Sequence, residues 1–209
     1  RLRDLAGIAT TTEDYAQRGV VAWIATESPH EDTAWQRFLP TGPLAFLPCA
    51  PWPDAPHVSS IVWTLPDDEA TRVVALDDAA FAEELTRAFA SRLGDCRPLT
   101  PRVAFPLRRQ LAQTYVHGRV LAMGDAAHVV HPLAGQGVNL GLRDVSALRD
   151  VVASAQARKA DWAAPHRLAR WARARRSDAT ASAYAFGAIN RVFSNDDLVT
   201  TLLRGHALG

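Results

Sequence analysis

The chain has 209 residues, 48% of them hydrophobic, which supplies enough apolar side chain for a sizeable buried core. Lys and Arg number 23 against 22 Asp and Glu, so the net charge of +1 offers nucleic acid no general attraction, and no apolar run reaches the ~18 residues of a membrane span. Cys49 and Cys96 lack CxxC spacing and suit a reducing compartment rather than a disulfide framework. Arg1 opens on "RLRDLAGIAT" without Met or a secretory leader, as expected of a piece of a longer protein.

In chain order, "GVVAWIATE" (19–27), "PLAFLP" (43–48) and "HVSSIVWTL" (57–65) are β-branched and aromatic runs bounded by Pro, Gly and Asp, and they predict strands. Residues 77–93 predict an amphipathic helix: Phe81, Leu85, Ala88, Phe89 and Leu93 share one stripe, paired Asp residues precede it, and Gly94 stops it. "PRVAFPL", "QLAQTYV" and "RVLAMGD" predict three further extended segments, the last read as a buried parallel strand. From Gln136 the chain predicts helices to its end, with Pro165 suited to a first helical turn. The fold class expected is α+β or α/β: a mixed sheet with helices, then a C-terminal helical portion.

The densest polar chemistry lies in "GRVLAMGDAAHVVHPLAGQGVNLGLRD", from Gly118 to Asp144. Gly135, Gly137 and Gly141 are spaced G-x-G-x-x-x-G and do not follow a strand directly, so a dinucleotide fingerprint is rejected. His128 and His131 stand three apart, but Pro132 follows and no third ligand completes a set, so no metal site is expected. What remains is a strand, a Gly124–Asp125 turn, a loop and a helix beginning between Gln136 and Asn139. Unpaired N–H groups of a first helical turn face a flat or anionic ligand, and Asp125 can accept hydrogen bonds from ligand hydroxyls. The plain alternative is that the glycines only turn the chain and Asp125 only caps a turn.

"GDAAHVVHPLAGQGVNLGLRD" resembles the second flavin-binding motif of FAD-dependent aromatic-ring hydroxylases of the para-hydroxybenzoate hydroxylase type, and most closely their ubiquinone-biosynthesis branch. "DYAQRGVVAWIATESPH", "WQRFLPTGPLAFLP", "SSIVWTLP" and "FPL" (105–107) resemble that branch in the same order, so the likeness spans nearly the whole chain.

The resemblance implies the Rossmann-like FAD domain of that family, of which this chain would carry the C-terminal part. Residues 1–110 would form the substrate-binding domain, 111–157 the FAD-domain piece and 158–209 a C-terminal helical segment. It implies that Asp125 contacts ribityl or ribose hydroxyls of FAD after the turn at Gly124. Pro132 would lie near the flavin C4a and N5 edge; Gly135, Gln136 and Gly137 would lead into a helix whose Val138 and Asn139 amides face flavin N1 and the C2 carbonyl. The activity implied is hydroxylation of a polyprenyl phenol with NAD(P)H and O₂. Trp23, Phe46 and Trp63 are candidates to line the substrate, though at strand spacing each equally suits plain core. No catalytic base is assigned: His57, His128 and His131 have no partner legible in the sequence.

The family's GxGxxG region and central Asp-Gly signature are not found in this chain, so alone it is expected to bind FAD poorly and to be inactive. Cytoplasmic placement, peripheral to an inner membrane, is expected, with other ubiquinone-biosynthesis proteins as partners. The rival readings are a halogenase or prenyl reductase on the same scaffold, or a lipid-binding or scaffold module. For the last, Arg167, Arg170, Arg173, Arg175 and Arg176 with Trp162 and Trp171 offer a cationic helix face.

Overall fold

A computed structural model describes residues 2–130 and 136–193. The elements are α1 (Leu2–Leu5), β1 (Thr10–Thr26), β2 (Trp35–Leu39), β3 (Gly42–Cys49), β4 (Val58–Pro66), α2 (Asp67–Ala75), α3 (Asp78–Ala88), β5 (Cys96–Pro98), β6 (Val103–Ala112), β7 (Val116–His117), β8 (Val120–Leu121), a 3-10 turn (Gly124–Ala126), β9 (His128–Val129), α4 (Gln136–Ala157) and α5 (Pro165–Phe193). Seven strands form one sheet with the path β2-β3-β4-β1-β6-β9 and β5 added to β1; the registered pairings are antiparallel. The chain divides into two compact units, residues 16–107 with the last residues of α5, and residues 2–15 with 108–188.

In the first unit the period-2 pattern of the strands builds the core. Val20, Ala22 and Ile24 of β1 alternate inward, and the register sets Val20 opposite Trp63 and Ala22 opposite Ile61. On the far side of β4, Leu44 faces Trp63 and Phe46 faces Ile61, so cross-strand rows of large apolar side chains run through β1, β4 and β3. Helices α2 and α3 cover that face with Ala70, Val73, Phe81 and Leu85. The Phe89 ring stacks on Phe46 at 3.9 Å between centroids. Asp77 caps α3 by accepting the Ala80 N–H at 2.8 Å. Of the predicted stripe, Phe81, Leu85, Phe89 and Leu93 are buried and Ala88 is half-buried. The helix ends at Ala88 instead of running to Gly94, since Ala90 and Ser91 take left-handed backbone with φ +54° and +52°. Helix α2 was not foreseen in the sequence. Asp67, Asp68 and Glu69 occupy its first turn after Pro66, where acidic side chains complement the helix dipole.

In the second unit α4 and α5 enclose a core of Ile8, Ala112, Tyr115, Ala122, Ala127, Trp171, Ala172 and Ala179. Pro165 opens α5 as expected, its missing N–H being one that a first turn leaves unpaired anyway. Two sequence expectations are corrected. "PRVAFPL" and the first three residues of "QLAQTYV" fall on a single strand, β6, which runs through Pro106 and ends at Ala112, while Val116 opens β7. "RVLAMGD" is not a buried parallel strand: Val120–Leu121 folds back antiparallel on Val116–His117 across Gly118, and Val120 is 48% exposed. An apolar run ending in Gly-Asp carries no information about its partner, and here the hairpin neighbour is the local one.

Candidate functional site

The Gly124–Ala126 turn is fixed to α4 by two features that the sequence places one helical turn apart. Gly124 has φ +55°, a left-handed conformation that favours glycine. A Cβ on Gly141 would sit 3.3 Å from the Gly124 Cα, so the helix and the turn approach backbone to backbone. Three residues further along α4, Asp144 accepts the Gly124 N–H at 3.0 Å.

Asp144 is fully buried and is the centre of a charged cluster. Its Oδ2 also accepts from His128 Nε2 at 2.7 Å, and its Oδ1 accepts from Arg175 Nε at 2.8 Å. Arg175 in turn donates to Asp178 at 2.8 Å, and the indole N–H of Trp171 donates to the Asp144 carbonyl at 3.3 Å. Burial drives the Asp144 carboxyl up, but hydrogen bonds from His128, Arg175 and the Gly124 amide outweigh it and hold the pKa below the usual carboxylate value. Four elements thereby meet at one carboxylate: the turn, β9 and α5 donate to Asp144 of α4. Two buried polar atoms beside this cluster, His128 Nδ1 and Tyr115 Oη, have no hydrogen-bond partner among the described residues. The Tyr115 ring lies 6.0 Å from that of His128, and burial pushes its phenol well above the ordinary value.

The sequence-predicted residues fall as follows. Asp125 is exposed on the anchored turn, and none of the hydrogen bonds found among the described residues engages its carboxylate. Helix α4 starts at Gln136, so the first-turn amides of Gln136, Gly137, Val138 and Asn139 have no acceptor within the helix. Among the described residues, a Cβ on Gly137 would meet no atom within 4 Å, and Val138 is 73% exposed. Pro132 and Gly135, with His131, lie outside the described residues. Phe46 and Trp63 are buried in the first unit's core, the plain-core alternative of the sequence reading. Trp23 lies on the opposite face of the sheet, 40% exposed, its ring 5.3 Å from that of Trp52.

Residues missed by the sequence reading are Asp144, Arg175 and the pairing of His128. A signal existed. Leu140, Asp144, Leu148 and Val151 recur at helical spacing, and so do Leu168, Trp171, Arg175 and Ala179; a charged residue in each apolar stripe points to a buried ion pair between them. Arg175 therefore leaves the exposed cationic face to which the run "RLARWARARR" assigned it, because its guanidinium is spent on Asp144 and Asp178.

Among the described residues no group of three or more His, Cys, Asp or Glu is placed to hold a metal ion, and no helix is long and apolar enough to cross a membrane. An exposed acceptor on a rigid turn, with a helix start whose first amides have no acceptor within the helix itself, suits a polar ligand rich in hydroxyl and acceptor groups.

The FAD binding domain family matches residues 2–183, and the chain belongs to that family. It is 39% identical to the ubiquinone hydroxylase UbiL of Rhodospirillum rubrum over the whole of this chain and 48% of that protein. It is 40% identical to the 3-demethoxyubiquinol 3-hydroxylase of Escherichia coli over 85% of this chain and 44% of that protein. The chain thus spans about half the length of the curated relatives it matches. Among solved structures, the fold is similar to that of PqsL, a probable FAD-dependent monooxygenase from Pseudomonas aeruginosa, with TM-score 0.71 and 22% identity over 93% of this chain and 53% of that one.

Proposed function

We propose that the protein carrying this chain is an FAD-dependent monooxygenase that hydroxylates the aromatic ring of a polyprenyl phenol in ubiquinone biosynthesis. The balanced reaction is ArH + O₂ + NAD(P)H + H⁺ giving ArOH + NAD(P)⁺ + H₂O. The observation that carries the reading is the Gly124–Asp125 turn, held rigidly to α4 by Asp144 with its own carboxylate left exposed, in a chain of the FAD-binding family. The similarity to ubiquinone hydroxylases over the whole chain supports the substrate class.

FAD, when bound, supplies the redox and oxygen chemistry. The chain's own residues bind and orient. Asp125 accepts hydrogen bonds from cofactor hydroxyls, and Gly124 lets the chain turn so that the carboxylate is presented. The amides of Val138 and Asn139, at a helix start carrying about half a positive charge, stabilise negative charge on the flavin pyrimidine edge. Gly135, Gln136 and Gly137 carry the backbone into that position, and Pro132 belongs to the same proposal as the residue beside the reacting edge. We assign the substrate side to residues 16–107 within the expected 1–110 domain, and the flavin side to 111–157 together with residues 2–15 and the part of the expected 158–209 helical segment whose Trp171 and Ala179 share its core. Trp23, exposed on the open face of the sheet beside Trp52, is the lining residue that this structure leaves accessible. The protein works in the cytoplasm, peripheral to the membrane that holds its substrate.

The test is turnover by the full protein with NAD(P)H, ¹⁸O₂ and a polyprenyl phenol, read by mass spectrometry. One ¹⁸O atom on the ring is expected. A halogenated product formed in the presence of halide, or a saturated prenyl chain, would transfer the assignment to the corresponding flavin enzyme; FAD binding without any turnover would favour the scaffold reading.

A further inference from the structure

We propose that the turn joining α4 to α5, with the groove beside it, docks the protein on an anionic lipid surface. A groove of about 600 Å³ runs between the two helices, and its lining includes Arg158, His166, Arg167 and Arg170. Lys159 and Trp162 lie in the connecting turn, the indole 40% exposed. None of Arg158, Lys159, Arg167 and Arg170 is ion-paired with an acidic group among the described residues, whereas Asp150 and Asp178 are paired with other cations and Asp161 is the one nearby acid that keeps its charge. Asp150 is held by Arg149 at 3.0 Å, Asp161 accepts the Ala163 N–H at 2.8 Å, and Asp178 is taken by Arg175.

Four permanent cations that are not ion-paired among the described residues, clustered on one turn and its groove against the one carboxylate of Asp161, leave a local positive excess in a chain whose net charge is only +1. Such a field is short-ranged in salt and acts on a surface that the protein touches. An indole set among guanidinium and ammonium groups matches the headgroup level of a bilayer, where the ring partitions and the cations meet lipid phosphates. An acidic polypeptide would satisfy the charges but gives the exposed indole no comparable place. This inference rests on the proposed polyprenyl substrate only for its biological sense. Binding is measured without phenol or NAD(P)H, so its failure leaves the hydroxylase reading standing.

The experiment sediments the full protein with vesicles of phosphatidylcholine alone or mixed with phosphatidylglycerol. The wild type should bind the mixed vesicles, come off as salt is raised, and ignore phosphatidylcholine. The triple variant Arg158→Gln, Lys159→Gln, Arg170→Gln should lose about a hundredfold in affinity, since each basic residue near an anionic surface is worth roughly fivefold. Trp162→Ala should weaken binding with the salt dependence unchanged. Arg173→Gln with Arg176→Gln, exposed charges that do not line this groove, should bind as the wild type does, and unaltered thermal melting shows that each variant is folded. The proposal is wrong if the triple variant binds as tightly as wild type, if both vesicle types bind equally, or if the Arg173 and Arg176 variant loses as much as the triple. It is also wrong if the wild type ignores vesicles yet polyglutamate binds through these same residues, which would make the surface a protein interface.

Discussion

At the scale of single residues, Asp144 does more structural work than any side chain the motif advertises. Its buried carboxylate satisfies an amide, an imidazole and a guanidinium, so Asp144→Asn leaves Arg175 with Asp178 alone and removes the charge that holds His128. A loss of about 3 kcal/mol at neutral pH is expected, the scale of breaking a buried pair, and urea denaturation measures it. The pH dependence follows from the direction of the shift. The folded pKa lies below the unfolded one of about 3.9, so the contribution is complete above that pH and disappears as pH falls through the folded value. The gap between wild type and Asp144→Asn should therefore be constant at higher pH and close in acid; a gap that persists undiminished would mean the carboxylate is not the source of the stability. Tyr115 behaves in the opposite sense. Its hydroxyl is buried without a partner among the described residues, a situation that costs about 1–3 kcal/mol, so Tyr115→Phe should leave the melting temperature unchanged or raise it. A clear drop would reveal a hydrogen-bond partner for that oxygen.

At the scale of elements, the contact between α4 and the 3-10 turn sets where Asp125 is presented. Gly141→Ala gains about 1 kcal/mol of helix preference, yet its Cβ would press at 3.3 Å on backbone that the Asp144 hydrogen bond prevents from moving away. Stability should thus change little, while FAD affinity of the full protein falls about tenfold, the equivalent of ~1.4 kcal/mol, because the turn is displaced. Unchanged affinity would show that the turn's position is not critical. The elements also show what patterning could and could not disclose. The start of α3 with its Asp77 cap, the opening of α5 at Pro165 and three of the four strands between residues 19 and 65 were legible, because each combines a periodic apolar face with a local stop or start signal; β2 and the early end of α3 at Ala88 were not. Helix α2 was hidden because "DDEATRVVA" follows a strand without a turn residue other than Pro66. The β7–β8 hairpin was hidden because a two-residue pairing is too short for any period to register.

At the scale of the whole molecule, the residues expected to face FAD were legible through resemblance, and the cluster beneath them was not, since His128 and Asp144, though inside the same motif, meet each other and Arg175 only on folding. We propose, from the likeness to ubiquinone hydroxylases and the geometry of the turn, that this chain presents Asp125 to FAD from a platform built by Asp144. The most direct measurement is FAD dissociation from the full protein and its Asp125→Ala variant. Asp125 engages no described residue, so the substitution should leave thermal stability of the FAD-free protein unchanged. Losing a charge-assisted hydrogen bond of about 1.5–3 kcal/mol should weaken FAD ten- to hundredfold, with turnover at saturating FAD much less affected. Equal FAD affinity in the two proteins would contradict the account.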